Sequence, residues 1–167
     1  MTLEQSTISA VEALAAATQS RHGIPGLALG IVGEEGLLWC GGFGVVSLDG
    51  TDRPDEHTVA RIASVTKTFT TTAILQLRDD GLLGLDDPLQ RHIPEFGQAL
   101  ERGGSVEDVT IRRLLTHRAG LVTESPVKGW GALSFPSMEE ILAALPHTEV
   151  VIPSDSAWKY SNLGFGL

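Results

Sequence analysis

The sequence has one cysteine, Cys40, which excludes an internal disulfide framework. Basic residues are scarce: 12 Lys and Arg stand against 21 Asp and Glu, a formal net charge of −9. Such a surface repels phosphate backbones and anionic lipid, so nucleic acid and membrane surfaces are not expected partners. No apolar run approaches the roughly 20 residues needed to cross a bilayer. The opening residues, Met1-Thr2-Leu3-Glu4-Gln5, lack a basic stretch followed by an apolar one. The expectation is therefore no secretory signal and a cytoplasmic protein. His22, His57, His92, His117 and His147 fall at no metal-ligand spacing, so neither a metal nor another cofactor is expected. Internal repeats with a period of 20–50 residues are absent.

What is present is an ordinary globular composition over 167 residues, 42% hydrophobic and 20% charged. A chain of this size buries about 70% of its unfolded surface, enough for a real core. Leu3, Ile8, Val11, Leu14 and Ala15 recur at helical steps and predict a helix from Leu3 to Ser20, stopped at His22-Gly23. Leu27–Val32 and Leu37–Val46 are apolar runs joined by Gly33-Glu34-Glu35-Gly36, the pattern of an antiparallel hairpin. Ser47–His57 reads as loop. A second helix runs from Ala63 or Ser64 to Asp80, with Ile62, Phe69, Ala73 and Leu77 on its apolar side. Asp87-Pro88 opens a short helix within Leu82–Phe96, and Thr110–His117 is a short capped helix. Ala119–Phe135 reads as loop. Ser137-Met138-Glu139-Glu140 has capping-box spacing and opens a helix to Leu145. Tyr160–Leu167 reads as the first turns of another helix. Two clear strands, with a weak third in His147–Ile152, are too few for a self-sufficient sheet.

Ser64-Val65-Thr66-Lys67 is the first candidate for chemistry. On a helix, residues three apart share a face, about 5–6 Å apart at Cβ. Serine is a weak nucleophile until a base takes its proton, and a neutral lysine one turn away can do so. The spacing alone does not decide. Ser125/Lys128 and Ser156/Lys159 repeat it, although only Ser64 opens a long helix with an apolar face. A helix cap beside a solvated lysine accounts for the same pair. In Tyr160-Ser161-Asn162, a tyrosine could relay a proton and an asparagine orient an amide or a lysine. A buried tyrosine followed by a helix cap has the same sequence. Gly41-Gly42-Phe43-Gly44 neither follows a strand nor opens a helix as a phosphate loop would, and reads as close backbone packing. His117 reads as a structural residue near a helix end.

The flanks of these residues resemble one family. Arg61-Ile62-Ala63-Ser64-Val65-Thr66-Lys67-Thr68-Phe69-Thr70 resembles the nucleophile segment of the serine hydrolases that include class C beta-lactamases, DD-peptidases and related esterases, the penicillin-binding-protein-like family. Leu82–Phe96, Thr110–Leu121 and Tyr160–Leu167 are similar to later segments of that family in the same order, and Ile24–Ala28 to its first strand entry. The resemblance implies an α+β, beta-lactamase/transpeptidase-like fold. It also implies Ser64 as acylated nucleophile, Lys67 and Tyr160 as the groups that move its proton, and Asn162 as a holder of Lys67 or a substrate amide. Residues 1–57 would supply the N-terminal helix and hairpin of the α/β subdomain, and 58–167 most of the helical subdomain. The family's third motif, a Lys or His followed by Ser/Thr and Gly on a later strand, has no match here. Pro153-Ser154 stands where the family often has Pro-Gly.

Two readings follow. In the first, the chain is the N-terminal fragment of a serine hydrolase acting on a small ester, amide or beta-lactam, with an ester-type substrate favoured over peptidoglycan. In the second, it is a catalytically incompetent truncated product, acting as a dimer or completed by another chain through open sheet edges.

Overall fold

The computed structural model describes residues 2–129 and 135–167. Part of the segment expected to be loop, 130–134, lies outside the described residues. The chain divides into two compact units, Met1–Arg61 and Ile62–Leu167.

In the first unit, helix α1 (Gln5–His22) precedes strands β1 (Gly26–Gly33) and β2 (Gly36–Gly44). Gly23 ends α1 in the left-handed conformation, its N–H donating to the carbonyls of Gln19 and Ser20. Ala15 is buried, and Ile8 and Val11 are half-buried on the same face. Leu14, expected on that face, is 69% exposed because it lies off the contact line. β1 and β2 pair antiparallel, Gly33 opposite Gly36 across a two-residue turn. A Cβ at Gly42 would run into the Pro54 carbonyl, so the glycine run of β2 admits the chain that crosses it.

The second unit contains α2 (Thr66–Asp79), α3 (Leu89–His92), β3 (Leu100–Glu101), α4 (Ile111–Leu115), α5 (Met138–Ala143), β4 (Glu149–Val150) and α6 (Leu163–Gly166). Its core is built from Leu89, Phe96, Val109, Leu114, Leu121, Leu145 and Val150. Local signals set the short helices. Thr110 caps α4 by accepting from the Arg113 N–H, and Ser137 and Glu140 form a complete capping box on α5. β3 and β4 pair in parallel over two residues each. The weak third strand of the sequence is therefore formed, and its partner is a segment with no strand signature.

Helix α2 differs from its expectation. Phe69 is 65% exposed and Ile62 and Leu77 are also exposed, whereas Thr70 and Ile74 are half-buried and Ile74 packs on the core. The helix is apolar on more than one face, so periodicity alone did not select the side that meets this unit's core. Lys67, half-buried, shares the inward side. The terminal helix also starts later than expected, at Leu163, which leaves Tyr160 and Ser161 in a lead-in outside the helix.

Two close approaches position the lead-in. Gly120 has φ +75°, and a Cβ there would collide with the Ile152 carbonyl. Its own carbonyl accepts from the Val151 N–H. The N–H groups of Asn162 and Leu163 both donate to the Thr123 carbonyl, and Leu163 is fully buried.

Candidate active site

Ser64 lies in the 3-10 turn Ala63–Val65, which leads directly into α2. Ala63 before it has φ +44°, in the left-handed region where a Cβ is strained. Such an outlier costs about 1–3 kcal/mol and persists only where the surroundings impose it. Ser64 is exposed, and its Oγ is 2.7 Å from the hydroxyl of Tyr160, 96 residues away in sequence.

Lys67, one turn along, does not pair with Ser64. Its Nζ donates to Asn162 Oδ1 at 2.6 Å, and lies 4.9 Å from the Tyr160 ring centroid and 5.4 Å from that of Phe165. Cation–π contacts of this kind are worth about 0.5–1 kcal/mol at exposed sites. Lys67 beside its hydroxyl, then the Ser64 hydrogen bond, hold the Tyr160 phenol below its usual value of 10.0. Burial and the Glu124 carboxylate pull weakly the other way. Asn162 Nδ2 in turn donates to Glu124 Oε1 at 2.7 Å.

The structure thus brings Ser64, Lys67, Tyr160 and Asn162 together, all within the second unit. Two further residues belong to the same network. Glu124 orients Asn162 and had no signal in the sequence, being a lone acidic residue in a loop. His117, read from sequence as structural, packs its ring 4.3 Å centroid to centroid from Tyr160. Its ring also contacts Trp158 at 5.8 Å and Phe165 at 5.1 Å. The Nδ1 of His117 accepts from the Ser161 N–H at 3.2 Å, and its carbonyl accepts from the Lys159 N–H at 2.8 Å. Its signal was its place in the Leu-Leu-Thr-His stretch, two residues past the end of α4.

What this arrangement can do is move one proton. A serine hydroxyl, a phenol with lowered proton affinity and a lysine form a connected set, the kind of relation through which a serine can be activated.

The fold around this set is the beta-lactamase/transpeptidase-like fold, α+β in class and present in part. Of this chain, 96% superposes on 42% of a class C beta-lactamase mutant, with a TM-score of 0.76 at 21% identity. A D-stereospecific amidohydrolase from Streptomyces sp. matches 92% of this chain and 45% of its own, with a TM-score of 0.66 at 30% identity. At the level of sequence, the profile of the family named Beta-lactamase matches residues 11–167. The chain belongs to that family. "Beta-lactamase-like protein 2" of Dictyostelium discoideum is 33% identical over 154 residues, 87% of this chain and 27% of the relative. The chain thus spans about a quarter of that relative's length and about two fifths of the solved structures'.

Proposed function

We propose that this chain carries the acylation site of a serine hydrolase, with Ser64 attacking the carbonyl of a small ester, amide or beta-lactam. The observation that carries this reading is the 2.7 Å contact between Ser64 Oγ and a Tyr160 hydroxyl whose proton affinity is lowered, chiefly by Lys67. With Tyr160 in its phenolate form, the Ser64 proton passes to the Tyr160 oxygen as Oγ bonds to the carbonyl carbon, and the carbonyl oxygen takes up negative charge. The Ser64 backbone N–H would donate to that oxyanion, and a second donor would come from beyond these four residues. Tyr160 then returns the proton to the departing alcohol or amine, leaving an acyl group on Ser64 that water removes.

Lys67 stabilises the phenolate form of Tyr160, and Asn162 holds Lys67 by one oxygen. Membership of the family and the amidohydrolase neighbour support a hydrolase. The ester preference and a cytoplasmic location rest on the sequence alone.

The test is covalent labelling. Intact-mass analysis after incubation with a fluorophosphonate should show one adduct, mapped by peptide analysis to Ser64 and absent in Ser64→Ala. An adduct that persists unchanged in Ser64→Ala refutes the assignment.

A further inference from the structure

Beneath Tyr160 lies a titratable ring that the proposed chemistry does not use. His117 sits at φ +58°, a conformation that only glycine and, to a lesser degree, asparagine, aspartate and histidine adopt readily. It is half-buried, and three aromatic rings surround it. Its backbone and its ring each hold the segment that carries the site: the carbonyl takes the Lys159 N–H and Nδ1 takes the Ser161 N–H. Ser161 lies between Tyr160 and Asn162, so this acceptor helps to set both side chains, alongside the Thr123 carbonyl that takes the Asn162 N–H. The rest of Ser161 is anchored independently, its Oγ donating to the Val122 carbonyl at 2.7 Å and accepting from the Gly164 N–H at 2.9 Å.

We infer that His117 is a positioning residue for Tyr160, and that it serves only as the neutral imidazole with its proton on Nε2. This inference rests on the acyl-transfer reading above. The tautomer follows from the partner: a backbone N–H can only donate, so Nδ1 must present a lone pair. Protonation fills that lone pair, turns two donors toward each other, and puts a positive charge against the ring of Tyr160.

Among the described residues, the charged and titratable groups facing the imidazole are Lys67 from α2 and the Tyr160 phenol, while Trp158 and Phe165 face it with their rings. Glu124 stands one residue further out, beyond Asn162. Burial first, and the Lys67 charge second, hold the His117 imidazolium below its usual value of 6.5. The neutral ring therefore predominates at pH 7. As pH falls through the lowered value, the ring charges and the Ser161 N–H loses its acceptor.

Two measurements on the full chain test this. Nitrogen-15 NMR of the imidazole should show the Nε2–H tautomer, titrating below 6.5, with the Ser161 amide shift moving on the same curve. An Nδ1–H tautomer, or a titration at or above 6.5, overturns the inference without any reference to activity. The second is the pH profile of Ser64 labelling by a fluorophosphonate.

Deprotonation of Tyr160 alone gives a logarithmic rate that rises with unit slope. A required neutral His117 steepens the slope towards two at the acid end. His117→Asn tolerates the left-handed backbone and puts an acceptor oxygen at the δ position, but it does not titrate. It should label within about tenfold of the parent at pH 7.5 and keep unit slope throughout. His117→Phe keeps a ring but no acceptor, and should lose about 10²-fold, the scale of a 1 Å misplacement. Identical slopes in the parent and His117→Asn overturn the inference while leaving acyl transfer standing. A parent that never labels sinks acyl transfer, and the tautomer measurement then decides the positioning alone.

Discussion

Removing one oxygen atom separates the proposed proton-transfer role of Tyr160 from its packing. In Tyr160→Phe the ring stays against His117, Trp158 and the Lys67 ammonium, and only the hydroxyl 2.7 Å from Ser64 Oγ is lost. That bond is exposed, so its net contribution to folding is about 0.5–1.5 kcal/mol. Its contribution to reaction is larger. Lys67 is turned to Asn162 at 2.6 Å and has no direct bond to Ser64 with which to take over. A positioned general base contributes typically 10²–10⁴-fold. The expected loss of labelling rate is on that scale, a barrier increase of roughly 3–5.5 kcal/mol. The assay is the second-order rate of fluorophosphonate adduct formation by intact mass, paired with a urea melt of each protein. Because Lys67 holds the phenol below its usual value, the parent rate should rise with pH and level off earlier than a free phenol would allow. Tyr160→Phe should lose that plateau. A variant that labels within about threefold of the parent, with the same pH profile, refutes the assignment of Tyr160 as the proton acceptor.

Two other outcomes follow from the geometry. Glu124→Ala frees the Asn162 amide to turn and should lower Ser64 labelling about tenfold. Glu124→Gln retains an acceptor for Nδ2 and should recover most of that loss, so equal losses in both variants would show that the carboxylate acts otherwise. Asp87 is the second case: the Gly84 N–H first, then His92, hold its carboxyl below the usual 3.8, with Arg91 adding a smaller Coulombic pull. A depressed folded value means that its stabilisation is complete above the unfolded value, about 3.9, and is lost as pH falls from there through the folded one. The urea midpoint should therefore drop between pH 5 and pH 3, and drop less in Asp87→Asn; equal drops would remove Asp87 from the acid response.

Much of the second unit was legible because its signals are local. A capping box and a threonine cap lie within four residues of the helices they start, and both formed as read. The β3–β4 pairing was not legible. Each strand is two residues long and the partners are separated by more than forty residues, so no alternation exists to detect. The inward face of α2 was misread for a different reason. Phe69, Ala73 and Leu77 on one side and Ile74 on another give similar apolar patterns, and only the core around Leu89 and Leu114 selects Ile74. At the site, the serine–lysine spacing could be seen but not distinguished from its two chance copies. The meeting of Ser64 with Tyr160 spans 96 residues and came from the family resemblance, not from spacing. Glu124 had neither a motif nor a periodic neighbour, and only the folded loop shows its role.

The network also fixes a direction that neither hydroxyl shows by itself. Either oxygen of the Ser64–Tyr160 pair could donate. The far end is unambiguous, because the Glu124 carboxylate can only accept and so must face Asn162 Nδ2. That turns Oδ1 to Lys67, which meets it as a donor. Lys67 in turn draws proton affinity out of the Tyr160 phenol. The ammonium that Asn162 holds beside Tyr160 outweighs the small opposing pull of the Glu124 carboxylate and favours the ionised phenol. Once Tyr160 is ionised its oxygen can only accept, so Ser64 is then the donor in the final bond, the polarity that the proposed attack needs. The residue that reaches Ser64 is Tyr160, but the order of donors and acceptors behind it begins three groups away, at Glu124.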